Sequence, residues 1–331
     1  MSEPTPLVEA PKSRGKLYAI IAAALVVVIA AIIAIVSFSN ANNQPAATGS
    51  GAAGSTADST ITEGPGSAED PVRIGVVGAS DPYWADYVEA AAAEGISIEL
   101  VDFSEYNQPN PAVAEGDLDL NQFQHSVYLA QYNIASEKDL VPIGSTAIYP
   151  LALFSTKYES VEDIKDGDTI AIPNDPSNLA RALLVLQSAG LVELKDGGSI
   201  FATLDDIDAE KSRVQVTALE AALTATSLPD VAGAIINNDF IDDAGLEASD
   251  AIAQDDPADE NAIPYINIFA TREDDAENEV YLRLVEIFQN SSEVIDGLVE
   301  NSGDTAVPVK TSVADLKKTL LQVEKDTAAQ G

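Results

Sequence analysis

Residues 72–103 read VRIGVVGASDPYWADYVEAAAAEGISIELVDF. Val72–Gly78 is a short apolar run, suited to a strand buried on both faces. Trp84–Glu94 reads as a helix, with Asp81-Pro82 near its start and Gly95 at its end. Ile96–Phe103 alternates apolar and polar residues, as a second strand does. Together these make a βαβ unit. Its right-handed crossover places the two strands side by side and parallel.

The same alternation continues downstream. Leu118–Leu120 is expected as a brief strand and Ser126–Asn133 as a helix. Leu140–Ile143 and Ile148–Ser155 are strands. Thr169–Ile172 leads into the helix Pro176–Ala189, closed by Gly190. Val214–Thr217, Val231–Ile236 and Ile263–Thr271 are further strands, and three helices end the chain near 277–290, 292–300 and 311–327. This predicts α/β architecture with parallel sheets. About 260 residues lies at the upper limit of one core, so two lobes are expected. Ligands of open α/β sheets bind beyond the carboxyl ends of strands.

Upstream the chain changes character. Residues 17–38, LYAIIAAALVVVIAAIIAIVSF, carry no charge. As a helix they span roughly 33 Å, enough for a hydrocarbon core of about 30 Å. Lys12, Arg14 and Lys16 precede the run, and no Lys or Arg follows before Arg73. The positive-inside rule puts residues 1–16 in the cytoplasm and the rest outside. The expected reading is a single-pass cell-membrane anchor; a cleaved signal segment is the alternative. Residues 39–70, rich in Ala, Gly, Ser and Thr, read as a flexible tether.

Composition removes whole classes of function. Acidic residues number 54 and basic residues 17, for a net charge of -37. That field repels nucleic acid. Cysteine is absent and histidine occurs once. Disulfides, thiolate metal sites and a cysteine nucleophile are therefore excluded, and a histidine-rich metal site is not expected. GVVGAS, after the first strand, lacks the GxGxxG spacing of a dinucleotide loop. The acid runs Asp205–Asp208 and Asp255–Glu260 read as solvated faces. No cofactor and no enzymatic step are expected.

Two segments stand out against this background. One holds the lone His125 between Phe123 and Tyr128. The other places Arg181 in a mostly apolar helix. Arg181 points away from the stripe of Leu179, Ala182, Leu183 and Leu186, and reads either as a solvated arginine or as a carboxylate clamp. Asp175 can cap that helix, and Pro176 suits its first turn. Phe123, Tyr128 and Tyr106 read as core or as an aromatic wall. Asn237 reads as a turn residue after a buried strand, or as a polar contact. Trp84 is expected to pack the first helix.

GDLDLNQFQHSVYL (116–129), STAIYPLALFS (145–155), IPNDPSNLARALLVLQSAGL (172–191), AIINNDF (234–240) and PYINIFATRED (264–274) occur in this order. In that order and spacing the chain resembles the methionine-binding lipoproteins of ABC importers, the MetQ/NlpA family, over about residues 72–330. The resemblance implies a two-lobed (type II) periplasmic-binding-protein fold, with one lobe at 71–150 plus 268–331 and the other at 151–267. It implies capture of methionine or a close relative and delivery to a membrane permease powered by a separate ATPase. It suggests Tyr106, Phe123, His125 and Tyr128 as walls for a thioether, Arg181 for a carboxylate, and Asn178 and Asn237 for the head group. Another amino acid, a short peptide, or a sensing role beside a membrane receptor stays open. The chain departs from the family in three ways. It lacks the lipid-modified cysteine. The stretch AALTATSLPDVAGAII (221–236) lacks the family's glutamine and arginine. Asp239 adds a carboxylate near the pocket.

Overall fold

A computed structural model describes residues 61–330. β1 (Val72–Val77) and β2 (Ile98–Phe103) pair in parallel, from Val72 opposite Ile98 to Val77 opposite Phe103, with α1 (Pro82–Ala93) as the crossover. Pro82 opens α1, where a missing N–H costs nothing. Tyr83, Trp84 and Tyr87 bury one side of α1. α2 (Pro109–Glu115) ends at Gly116, whose φ of 83° is the left-handed cap that glycine adopts without strain.

β3 (Leu120–His125) corrects the expected strand at 118–120. The strand runs on through Asn121, Gln122 and Gln124, and every position is buried. The polar sequence hides it, because these amides satisfy one another. Asn121 Nδ2 donates to Asn110 Oδ1 at 2.9 Å, and Gln124 Nε2 donates to the same oxygen at 2.6 Å. Gln122 Nε2 donates to Thr146 Oγ1 at 3.1 Å. A fully satisfied buried network of this kind holds a strand rigidly. α3 (Ser126–Ser136) follows directly, and β4 (Leu140–Ser145) lies beyond it.

The expected strand at 148–155 is two pieces, β5 (Ala147–Ile148) and β6 (Ala152–Phe154), with Pro150 in the gap. Proline cannot donate to a ladder, which explains the break. β7 (Thr169–Pro173), α4 (Pro176–Ser188), β8 (Gln215–Leu219), α5 (Ala221–Ser227), β9 (Gly233–Ile236) and β10 (Ala253–Gln254) complete this half. β11 (Asn267–Arg272) begins later than the sequence predicts, because 260–265 form a 3-10 turn around Pro264. α6 (Glu279–Asn290), α7 (Ser292–Asn301), β12 (Val307–Pro308) and α8 (Val313–Ala328) end the described chain.

Two five-stranded sheets result, in the orders β2-β1-β3-β11-β4 and β10-β6-β9-β7-β8. Both are mixed rather than parallel. β11 runs antiparallel to β3 and β4, and β6 antiparallel to β9 and β10. The chain crosses between the sheets twice, through 146–151 and 255–266. On one side of the first sheet Trp84, Tyr87, Phe269 and Phe288 pack together; on the other lie Leu129, Leu140, Leu316 and Leu320. Ile170, Leu183 and Leu186 anchor the second core. A further cluster joins the halves and holds Phe123 of the first together with Phe154, Ile236 and Phe240 of the second.

The tether reading fails for residues 61–70. Ile61 N donates to Gly95 O at 3.0 Å, Ser97 N donates to Gly66 O at 2.7 Å, and Ile61 packs on the first core. The charge-free run at 17–38 lies outside the described residues.

Candidate functional site

His125 ends β3 and caps α3. Its ring Nδ1 accepts from the Tyr128 N–H at 3.2 Å, so the ring proton sits on Nε2, 3.4 Å from Asn178 Oδ1. Burial, and then the Arg181 guanidinium, push the imidazole pKa down to about 3, which leaves it neutral near neutral pH. It is a wall and a weak donor, with no charge to offer.

From the other half, Asp175 caps α4 and accepts from Asn178 N at 2.9 Å and Ser177 Oγ at 2.8 Å. Asn178 Nδ2 also donates to both Asp175 carboxylate oxygens, at 3.2 and 3.1 Å. Asn178 is therefore engaged on every side, and links His125 to the helix cap.

Arg181 follows one turn later, and it is 6% exposed. The solvated-arginine reading is wrong. Nε donates to Asp255 Oδ2 at 2.6 Å, and Nη2 donates to Asp255 Oδ1 at 3.1 Å and to Tyr149 O at 2.8 Å. Its Cζ lies 4.5 Å above the centre of the Tyr265 ring, a cation–π contact. A guanidinium has five N–H groups, and three are used here. The two on Nη1 carry no hydrogen bond among the described residues. Asp255 also accepts from Leu151 N at 2.8 Å. It is thus an internal partner, and the solvated-face expectation is corrected there.

These residues surround one slender cavity. It measures about 480 Å³ including its open mouth. Tyr106, Phe123, His125, Tyr128, Asn178, Arg181 and Asn237 all line it, so the structure brings every sequence-derived candidate to one place. The Phe123 ring centre is 5.8 Å from that of Tyr106 and 5.6 Å from that of Tyr128. Two polar atoms here are buried without a partner, Asn237 Oδ1 and Tyr265 Oη. An orphaned buried acceptor costs about 1–3 kcal/mol, so its retention calls for a ligand donor or a trapped water.

Tyr149, Asp255, Tyr265 and Asn267 are site residues that carry no signal of their own in the sequence. Three of them sit in the two crossovers, where irregular backbone hides which way a side chain points. Only PYIN, preceding a strand, could have drawn attention to Tyr265 and Asn267.

Two carboxylates near the mouth are unusual. Burial, with Asp239 and Asp242 close by, pushes Asp81 up to about 7. Burial pushes Asp239 up to about 6. The unfolded values are 3.8 for both and 6.5 for the histidine. Near pH 5.5 the folded chain holds both carboxyl protons, whereas the unfolded chain holds only the imidazole proton. Across these three groups folding therefore takes up about one proton, and their contribution to stability rises as pH falls from 7.5 to 5.5. Melting curves at pH 7.5 and 5.5 are expected to differ by roughly 3 °C in favour of the lower pH, allowing for the partial exposure of Asp81. A lower midpoint at pH 5.5 contradicts this assignment.

The family model described as NlpA lipoprotein matches residues 72–310. This chain belongs to the NlpA lipoprotein family. Among its relatives, the D-methionine-binding lipoprotein MetQ of Salmonella typhi is 38% identical over 229 residues, which are 67% of this chain and 83% of that protein. MetQ of Yersinia pestis is 37% identical over 234 residues, covering 69% and 84%. A crystal structure of the methionine-binding protein MetQ superposes with a TM-score of 0.68 at 35% identity, covering 73% of this chain and 98% of that one. A nutrient-binding protein from Burkholderia cenocepacia, solved bound to methionine, gives 0.66 at 33% identity, covering 72% and 99%. The NlpA-family chain thus has the α/β substrate-binding-protein fold.

Membership also corrects the expected placement. The family and its relatives are described as lipoproteins, which are held at a membrane by lipid. Among the described residues no helix is long and apolar enough to cross a membrane. The single-pass topology is withdrawn.

Proposed function

We propose that this protein captures methionine or a closely related amino acid and delivers it to an ABC permease driven by a separate ATPase. The two sheets would act as two lobes, 71–150 plus 268–331 and 151–267, closing about the two crossovers. One observation carries the reading. A single slot holds a buried guanidinium with two open N–H groups, an unpartnered amide oxygen and a three-ring wall.

The chemistry of an amino acid matches each feature. Its carboxylate accepts from Arg181 Nη1. Its ammonium donates to Asn237 Oδ1, which relieves the orphaned acceptor. A thioether lies against Tyr106, Phe123 and Tyr128, a contact with aromatic rings worth about 0.3–1.5 kcal/mol. His125, held neutral, closes the slot without repelling the ammonium. The MetQ relatives are named for binding D-methionine, and the Burkholderia protein was solved with methionine. Both support the ligand class.

A thermal-shift series on the full chain tests it, since a ligand raises apparent stability by mass action. L-methionine and D-methionine at about 100 times Kd should each add about 2.7 kcal/mol of apparent stability. Methionine amide, lacking the carboxylate, should add far less. Equal shifts from methionine and its amide would remove the Arg181 contact from the scheme. No shift from either methionine would overturn the ligand class.

A further inference from the structure

We propose that Tyr106 and Asp239 form a latch across the mouth of the slot, holding the two halves closed. The proposal rests on the reading above for the closure of the two halves and for the identity of the ligand. Tyr106 lies in the turn after β2 of the first sheet. Asp239 lies in the short turn after β9 of the second. Tyr106 Oη donates to Asp239 Oδ2 at 2.8 Å, so the bond joins the halves side chain to side chain. The Tyr106 ring also meets the Phe240 ring, with centres 5.1 Å apart.

Position makes this bond a closure. Asp239 lines both the slot and a much larger outer cleft, of about 1530 Å³ including open solvent. It stands between the two. The outer cleft is faced by Asp81, Asp102 and Glu300 from the first half and Asp242, Asp243 and Glu247 from the second, with no Lys or Arg in its lining. Like charges on facing walls push the halves apart. Tyr106–Asp239 is attractive at the same boundary, and a hydrogen bond to a carboxylate is stronger than a neutral one. A second, longer bond, His125 Nε2 to Asn178 Oδ1 at 3.4 Å, crosses at a more buried point. The latch is shorter than that bond and borders the outer cleft; Arg181 Nη2 to Tyr149 O, at 2.8 Å, also joins the halves, from within the slot.

The chain has no native cysteine, so distance labels can be placed cleanly. Cysteines at exposed Glu89 and Ala209, one on each half, carry spin labels in the full chain. Tyr106→Phe, Asp239→Ala and the double variant are compared with the parent, without ligand and with methionine. Tyr106→Phe keeps the ring, so a lost wall does not confuse the result. Each single variant is expected to shift the label distance distribution toward wider separation, with the double variant no wider than either. Methionine release is expected to quicken about tenfold in each single variant, and by no more in the double. Unchanged distances overturn the latch. So do shifts that simply add in the double variant, since the residues then act separately. If the parent binds no methionine the ligand reading fails, and the distances still decide the latch.

Discussion

Arg181→Ala is expected to weaken methionine binding by at least about a hundredfold, the usual cost of removing one partner of a buried, hydrogen-bonded charge pair. The residue has two tasks. Nε and Nη2 hold Asp255 and the Tyr149 carbonyl, which leaves Nη1 for the ligand. Its truncation also leaves Asp255 with the Leu151 N–H and no cation, so the fold weakens too. Arg181→Ala/Asp255→Ala separates these effects. The double variant should regain much of the lost stability and none of the lost affinity. Arg181→Lys should also fail, because one ammonium cannot grip Asp255 with two parallel bonds and still reach the ligand. Titration calorimetry with methionine reads all three. Affinity within threefold of the parent in Arg181→Ala would take this residue out of the site.

Asn237→Leu is expected to move stability and binding in opposite directions. The side chain is about the same size, and Asn237 Oδ1 is buried with no partner in the free protein. Replacing it removes an unsatisfied acceptor, which should leave the melting midpoint unchanged or raise it. Affinity for methionine should fall by about 10- to 100-fold, the range for a hydrogen bond to a charged group. A variant that loses both together would mean that Asn237 holds the strand end and does not meet the ligand. A variant that loses neither would mean that the ammonium lies elsewhere.

The sequence shows its fold where local signals and burial agree. β1, α1 and β2 follow from apolar runs, a proline start and a glycine stop, and they stand where expected. β3 shows the opposite case. Its amides look solvent-facing until a buried network satisfies them. The mixed pairing of both sheets was also hidden, since strand direction depends on where β11 and β6 return from, not on their own residues.

The site divides in the same way. Asp175 and Pro176 announce a helix start, and Arg181 stands out because its neighbours are apolar. Its partners do not stand out. Asp255 sits in an acidic run that reads as solvated, and only the fold shows Arg181 lying 74 residues back and directly against it. Tyr265 precedes a strand and looks like core, yet its ring lies under the guanidinium. Asp239 was legible as an added carboxylate, but its bond to Tyr106 needed the two halves to be seen together.

The most direct measurement is a crystal structure of the protein grown with methionine. Density should fill the slot, with carboxylate oxygens against Arg181 Nη1, the ammonium on Asn237 Oδ1, and the sulfur among Tyr106, Phe123 and Tyr128. A slot that stays empty at saturating methionine, or a ligand seated in the outer acidic cleft instead, would contradict it.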